Sequence, residues 1–288
     1  MARLITVVAA VAMAAAIPTA QARSVRDLMT DLSANDPAVR ARAACELKEH
    51  GDRAAEAIDP LIRLLGDATP LDPATCRERW SRSSDRLITP GELAAAALVG
   101  IGTKAVQPLI AVLSQPSWIA RSSAAWALGA LDDPRAVPPV TAALRDQEPG
   151  VRAQAAWALG AMDASPAVKG LVAALKDTDA RVRHQAAWAL GAIGDPAAVS
   201  GLVAALRDDS DDVRHQAAWA LGAIGEASAV EGLIGALRDQ SARVREQAAW
   251  ALGAIGDSRA GQGLLVALKD PEPRVRRQAA WALGVIER

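Results

Sequence analysis

Six tryptophans recur along the chain at a fixed interval of 31 residues. They are Trp126, Trp157, Trp188, Trp219, Trp250 and Trp281. A fixed period of this length is typical of stacked supersecondary units, because each unit repeats the contacts of the unit before it. This spacing constrains the fold more than any other feature of the sequence, and it predicts a repeat array.

Each unit contains two short helical patterns, which we call the Leu helix and the Trp helix. The Leu helix of one unit has apolar residues at positions i, i+3, i+4 and i+7, which share one helical face; they are Val199, Leu202, Val203 and Leu206. Asp195 and Pro196 precede this helix as an N-terminal cap and first turn. Gly194 is expected to end the preceding Trp helix.

The same frame extends beyond the tryptophan series. Ala44–Leu47 and Ala95–Leu98 both align with Ala187–Leu190, so that Cys45 occupies a tryptophan position. With no Phe and no Tyr in the chain, the core must consist of Ala, Leu, Val and Ile. The sequence therefore predicts an all-α solenoid of about eight stacked helical hairpins over residues 23–288, with an irregular insertion at about 66–90.

The repeated core VRxQAAWALGAIGDxxAV resembles the HEAT-like repeat of the phycobilisome-lyase type, which is related to armadillo repeats. The resemblance covers nearly all of residues 23–288. It implies that the second helix of each hairpin lines a concave face. It says little about function, because such solenoids carry many roles.

Residues 1–22 have the organisation of a secretory signal. Arg3 precedes an apolar run from Leu4 to Ile17, and small residues lead to Ala22. The apolar run is shorter than the roughly 20 residues that span a membrane, which favours cleavage after Ala22 over retention as an anchor. We therefore expect a periplasmic or secreted protein with no membrane span after cleavage, monomeric by default.

The charge balance limits the kinds of partner, and the two cysteines predict a disulfide. The chain has 32 Lys and Arg against 33 Asp and Glu, and the predicted signal removes only Arg3 from this balance. Because the chain has no basic excess, nucleic acid is not an expected partner. Cys45 and Cys76 are predicted to form a disulfide in an oxidising compartment; two free buried thiols are the alternative.

The tryptophans lie opposite the apolar stripe of their own helix. On a helical wheel, Val182, Ala186 and Leu190 define the core face, and Trp188 lies roughly 150° from the centre of that face. Six such indoles in register predict a partner-binding ladder for a protein or peptide. The alternative is that each indole packs against the next unit, on Ala192, Gln216 or an arginine, and both roles are compatible.

Two further rows accompany the tryptophans. In the first row, which lies one turn before each Trp, the residue changes from unit to unit. This variation suggests either a determinant of partner specificity or drift at a tolerant surface position. The residues of this variable row are Ser122, Ala153, His184, His215, Glu246 and Arg277. The second row is predicted to form a structural ion-pair ladder with the acids that close each preceding Leu helix, such as Asp177, Asp208 and Asp239. Its arginines are Arg152, Arg183, Arg214, Arg245 and Arg276.

Enzymatic interpretations receive little support from the sequence. Deoxyhypusine hydroxylase, a HEAT-repeat protein, holds two irons with His-Glu pairs, but here the pairs are His184-Gln185 and His215-Gln216, which lack the carboxylate. Bilin lyases carry similar repeats, yet no nucleophile is singled out by its spacing. We therefore predict no enzyme, no catalytic residue, no metal and no cofactor.

The insertion combines Cys76, Trp80 and several arginines with three prolines. It is interpreted as a partner-contacting loop tied to Cys45, with an irregular excursion as the alternative. The prediction for the whole chain is an exported scaffold that binds a protein or peptide through a Trp-lined groove. The alternative is a structural or accessory module of a larger envelope assembly.

Overall fold

The computed structural model describes residues 23–76 and 88–287, so the predicted signal at 1–22 and residues 77–87 of the insertion lie outside it. The described residues form eight consecutive helical hairpins. Their helices are α1 (Val25–Asp31) and α2 (Pro37–His50), α3 (Ile58–Leu64) and α4 (Pro90–Ile101), α5 (Val106–Val112) and α6 (Trp118–Leu131), α7 (Val137–Ala143) and α8 (Pro149–Ala161), α9 (Val168–Ala174) and α10 (Ala180–Ile193), α11 (Val199–Ala205) and α12 (Asp211–Ile224), α13 (Val230–Ala236) and α14 (Ala242–Ile255), and α15 (Gly261–Ala267) and α16 (Pro273–Ile286). The predicted all-α solenoid of hairpins is confirmed.

The Leu helices from α3 onward each follow a 3-10 turn, and the sequence explains how these turns begin. Asp195 accepts a hydrogen bond from the Ala197 amide at the start of the turn Pro196–Ala198, which leads directly into α11. Gly194 ends α10 with φ +71°, a left-handed conformation that glycine adopts without a steric penalty. The predicted start and stop signals of the repeat are confirmed.

The core is a continuous layer of small aliphatic side chains between successive hairpins. Consecutive second helices pack on one another along the array, and each Leu helix packs on the second helix of its own hairpin. The predicted core residues Val182, Ala186 and Leu190 are fully buried. Alanine at these positions allows the helices to approach closely, which fixes the Trp helices side by side with their outward faces aligned.

The insertion separates α3 from α4, and its two described arms are joined to each other. Leu71 and Ile88 form an antiparallel bridge, with the Leu71 amide 2.8 Å from the Ile88 carbonyl oxygen. A short 3-10 turn, Pro73–Thr75, follows the first of these residues. The predicted partner-contacting role of Trp80 and the neighbouring arginines falls outside the described residues.

Across residues 23–76 and 88–287 no single helix is both long and apolar enough to cross a membrane. The segments Pro90–Ile101 and Thr103–Val112 meet the length and composition criteria only as a pair, and they are bent by 117°.

Candidate protein-interaction face

The six repeated tryptophans lie in one row across α6, α8, α10, α12, α14 and α16. The first five indoles are half-buried and pack against the apolar core. Trp281 in the last hairpin is 45% exposed. The expected exposed ladder is therefore only partly exposed.

The five indoles from Trp157 to Trp281 each cover a glycine of the preceding hairpin. A Cβ placed on Gly191 of α10 would lie 2.6 Å from Cζ3 of Trp219, and a Cβ on Gly160 of α8 would lie 2.7 Å from Cζ3 of Trp188. The same relation holds at Gly129, Gly222 and Gly253. These five indoles therefore act as packing elements between units, and their contact with glycine is made on the preceding hairpin, whereas the sequence suggested packing against the following one.

The variable row lies on the same outward surface as the tryptophans. His184, His215 and Glu246 are half-buried, and Arg277 is exposed. Nδ1 of His184 lies 3.3 Å from the Asp212 carbonyl oxygen of the next hairpin. Burial, and secondarily the positive charge of Arg243, lower the pKa of His215, so this imidazole is neutral at pH 7. The row therefore offers neutral, acidic and basic groups in turn along the face.

Two further features of this surface were not singled out from the sequence. Trp118, at the start of α6, is 48% exposed, and its indole lies over Gly150 of the next hairpin. Trp118 precedes Trp126 by eight residues, so that the two indoles share one face of α6. This spacing could have been recognised in the sequence, but Trp118 does not belong to the 31-residue series. The second feature is a row of exposed alanines one turn after the tryptophans, at Ala130, Ala161, Ala192, Ala223 and Ala254. We call the surface formed by the tryptophans, the variable row and these alanines the Trp face.

The predicted arginine ladder is present, but its acidic partners differ from the expectation. Nε and one terminal nitrogen of Arg183 donate to both carboxylate oxygens of Asp208 in the following hairpin, at 2.7 and 2.8 Å. The other terminal nitrogen donates to the Asp177 carbonyl oxygen of its own hairpin at 2.9 Å. Each guanidinium thus joins two turns. Asp177 accepts from Arg183 through its backbone carbonyl oxygen, whereas an ion pair with its carboxylate was expected.

The carboxylate of Asp177 is engaged by Arg152 of the hairpin before, and the same bridge recurs through the array. The pairs are Arg40–Asp67, Arg121–Asp146, Arg152–Asp177, Arg183–Asp208, Arg214–Asp239 and Arg245–Asp270. Hydrogen bonds from Arg245 hold the pKa of Asp270 below its ordinary value. These arginines are therefore structural and are not available to a partner.

Cys45 and Cys76 form a disulfide between α2 and the insertion. Cys76 is buried in the core, and Cys45 occupies the position that later hairpins give to tryptophan. The bond fixes the first described arm of the insertion against α2 of the first hairpin.

The described part of the chain contains no group of three or more His, Cys, Asp or Glu side chains arranged to hold a metal ion. His184 and His215 are adjacent along the Trp face, with Gln185 and Gln216 beside them. The geometry of the face thus suits apolar and hydrogen-bonding contacts with a partner.

The HEAT-repeat family matches the chain over residues 92–148, 137–222 and 199–284, which together make up more than half of its length. The chain belongs to the HEAT-repeat proteins. This match confirms the resemblance drawn from the repeated core. Solenoids of this family characteristically act as protein-interaction scaffolds.

Several solved structures are similar to this chain. A chain of the Kap95p–RanGDP complex matches with a TM-score of 0.65 at 14% identity, covering 91% of this chain and 42% of that one. The Escherichia coli protein YibA matches with a TM-score of 0.61 at 19% identity, covering 92% and 93%. The CpcE–CpcF phycocyanin lyase complex of Nostoc has a TM-score of 0.44 at 23% identity, covering 92% and 95%. None of the curated proteins matches the chain.

Proposed function

We propose that this HEAT-repeat protein is an exported scaffold that binds a protein or an extended peptide along its Trp face. The observation that carries the proposal is the register of six equivalent helices, which aligns six indoles in one row and places an exposed alanine beside each of the first five. The resemblance to HEAT and armadillo solenoids implies that this side is concave. A continuous apolar strip with a polar border is the usual character of a binding surface.

The variable row supports selectivity for one partner. The scaffold around it repeats almost without change, whereas the residue one turn before each Trp varies from Ser122 to Arg277. Because these side chains border the indole strip, each hairpin offers a different polar contact to a ligand that lies across it. A partner with apolar side chains toward α6 and acidic groups toward α16 fits this order.

Export is the second part of the proposal. The signal pattern in residues 1–22 favours it, and the Cys45–Cys76 disulfide supports it, because structural disulfides persist in oxidising compartments. We place the protein in the periplasm or outside the cell, as a monomer. No observation on the described residues favours a hydroxylase-like or lyase-like activity.

The test uses exposed residues, because the indoles also hold the hairpins together. Ala192→Glu with Ala223→Glu places two charges on the Trp face at exposed positions. The matched control is Ala173→Glu with Ala204→Glu, the same change at exposed positions of the Leu helices α9 and α11. The purified proteins are used to capture partners from the native envelope fraction, with quantitative mass spectrometry.

We expect a partner retained by the unsubstituted chain and by the control pair to be lost from the Trp-face pair. If both pairs of substitutions retain the same partners, the Trp face is not the binding surface. An assembly that is lost only from the control pair would favour the alternative of an accessory module held through its Leu helices.

A further inference from the structure

The Trp face changes in charge along the array. On α6 and α8 its outward positions carry no ionisable side chain. The one arginine of each of these two helices belongs to the ladder and pairs with an aspartate of the next hairpin. The equivalent outward positions of α12, α14 and α16 instead include Asp212, Glu246 and Arg277. We call the part of the Trp face on α6 and α8 the uncharged section; its residues are Trp118, Ser122, Trp126, Ala153, Gln154 and Trp157.

The uncharged section has indoles on both sides of a floor of small side chains. On α6, Ser122 lies one turn after Trp118 and one turn before Trp126, so the three residues lie along one side of the helix. Trp118 is 48% exposed, and its Cζ3 lies 3.5 Å from a Cβ placed on Gly150, so the ring extends over α8. On α8, Ala153 occupies the position equivalent to Ser122. A ligand that crosses the two helices at these small residues therefore passes between Trp118 and the main row of indoles.

The helices α8 and α10 also place a glutamine amide beside each indole. Gln154 and Gln185 precede Trp157 and Trp188 by three residues, so the members of each pair are neighbours on one helical face. Both glutamine side chains are half-buried, and within residues 23–76 and 88–287 neither amide has a hydrogen-bond partner. Their amide atoms reach solvent, since no fully buried side-chain nitrogen or oxygen of the described residues lacks a partner. These amides are therefore free to hydrogen-bond to a ligand that lies across the helices.

The spacing of the helices selects the conformation of such a ligand. A Cβ placed on Gly129 would lie 2.7 Å from Cα of Ala158, and a Cβ on Gly160 would lie 2.7 Å from Cα of Ala189. With Cα atoms about 2.3 Å from each helix axis, contacts this close place neighbouring axes roughly 8–9 Å apart. A polyproline II helix has three residues per turn and advances about 3.1 Å per residue, so one turn covers about 9 Å. Every third residue of a ligand in this conformation therefore meets a new hairpin.

Other regular conformations of a ligand fit this spacing less well. In a β-strand the residues that share one face are about 6.6 Å apart, and residues three apart point to opposite faces. A proline-rich segment also has few backbone N–H groups and no internal hydrogen bonds, which leaves its carbonyl oxygens to accept from the amides of Gln154 and Gln185. Aromatic side chains are the usual contacts of such segments, and the uncharged pyrrolidine ring suits a surface without ionisable groups.

We infer that the uncharged section binds an uncharged, proline-rich segment of a partner protein in the polyproline II conformation. Every third residue of the segment packs over a small side chain of the floor, at Ser122 and Ala153, with indoles on either side. The amide of Gln154 donates to a carbonyl oxygen of the segment. The inference rests on the proposed function, because it assigns the chemistry of the partner at one part of the Trp face.

The probe for this inference is an acetylated and amidated peptide of about nine prolines, which spans about three hairpins. Isothermal titration calorimetry and tryptophan emission measure its affinity for the full chain, and a Gly-Ser peptide of equal length is the control ligand. We expect the proline peptide to bind at least about tenfold more tightly, because it is preorganised and carries rings that pack on indoles. Trp118→Ala is expected to weaken binding of the proline peptide by about tenfold or more, because it removes an exposed aromatic contact. Circular dichroism checks that this variant remains folded.

A matched pair of glutamine variants locates the bound peptide. Gln154→Ala is expected to weaken binding by about three- to tenfold through the loss of one hydrogen bond, whereas Gln247→Ala, the same change on α14, is expected to change it by less than about twofold. Equal affinities for the proline and Gly-Ser peptides, or equal effects of the two glutamine variants, would overturn the inference. Binding of an N-acetylglucosamine tetramer in place of the proline peptide would also overturn it and would assign the section to a glycan.

The result is separable from the test of the proposed function. If the proline peptide does not bind but Ala192→Glu with Ala223→Glu still loses its envelope partner, the Trp face remains a protein-binding surface and the proline chemistry is wrong. If the proline peptide binds in a manner that depends on Trp118 and Gln154 but no envelope partner depends on those two alanines, the inference stands and the proposed envelope scaffold fails.

Discussion

The glycines beneath five of the indoles give the sharpest test of how this array is held together. In α10, a Cβ at Gly191 would lie 2.6 Å from Cζ3 of Trp219 and 2.8 Å from Cα of Ala220. The indole can move, but Ala220 Cα is part of the α12 backbone and moves only with its helix. Gly191→Ala therefore forces two hairpins apart or displaces the ring from its seat.

The magnitude follows from two opposed contributions. Replacing Gly by Ala within a helix stabilises it by about 0.8–1.0 kcal/mol, whereas overpacking a close interface costs about 1–3 kcal/mol. For Gly191→Ala we therefore expect a net loss of about 0–2 kcal/mol in the free energy of unfolding. Gly235 in α13 is the matched control, because nothing lies within 4 Å of a Cβ placed there. Gly235→Ala is expected to stabilise the chain by about 0.8–1.0 kcal/mol.

The helix-propensity gain is common to both variants, so their difference isolates the interface contact at about 1–3 kcal/mol. Urea unfolding followed by circular dichroism gives the free energies, and tryptophan emission reports the environment of the indoles. Emission of Gly191→Ala is expected to shift toward longer wavelength as a ring moves into water. If Gly191→Ala is as stable as Gly235→Ala, the indoles do not pack on the glycines as described, and the hairpin spacing has another cause.

Other changes probe the rest of the framework. Arg183→Gln is expected to lower the free energy of unfolding in urea by about 2–4 kcal/mol, because Asp208 would be left mostly buried without its partner. Arg181→Gln changes a largely exposed side chain and is expected to leave the urea midpoint almost unchanged. Stability is also expected to fall in acid. Hydrogen bonds from Arg245 lower the pKa of Asp270, and those from Arg121 lower the pKa of Asp146. A carboxylate with a lowered folded-state pKa stabilises the protein above its unfolded pKa near 3.8 and loses that contribution as the pH falls toward 2, so thermal scans between pH 5 and pH 2 test the sign. Cys76→Ser is expected to cost about 4 kcal/mol in the chain-entropy treatment, because the disulfide closes a loop of 31 residues; an unchanged urea midpoint under oxidising conditions would contradict that role.

The sequence was sufficient to predict the fold because each local signal agrees with the repeat. The cap at Asp195, the left-handed glycine at Gly194 and the buried stripe through Val182 and Leu190 all occur where the pattern places them. Within one helix, periodicity determines which side chains share a face. Repetition then supplies the neighbour, since a unit that buries its stripe must stack on a copy of itself.

The contacts between units were predicted less well, for a physical reason. A helical wheel gives the direction of Trp188 relative to its own axis but not the offset of the neighbouring helix, so the glycine beneath it, Gly160, was missed. The partner of Arg183 was misassigned for the same reason. Its side chain is long enough to reach a carboxylate in either of two turns, and only the stacking geometry selects Asp208.

Within each hairpin the tasks of stacking and recognition fall on different positions. From α6 to α16, the guanidinium, the aspartate, the glycine and the indole occur at every interface between successive hairpins, and a change in any of them alters two hairpins at once. The residue one turn before the Trp lies outside the arginine–aspartate and indole–glycine contacts, and there His184 becomes Glu246 two hairpins later while the repeat around it is kept. A solenoid built in this way can change its ligand preference one hairpin at a time, because a substitution in the variable row keeps the arginine–aspartate and indole–glycine contacts between hairpins.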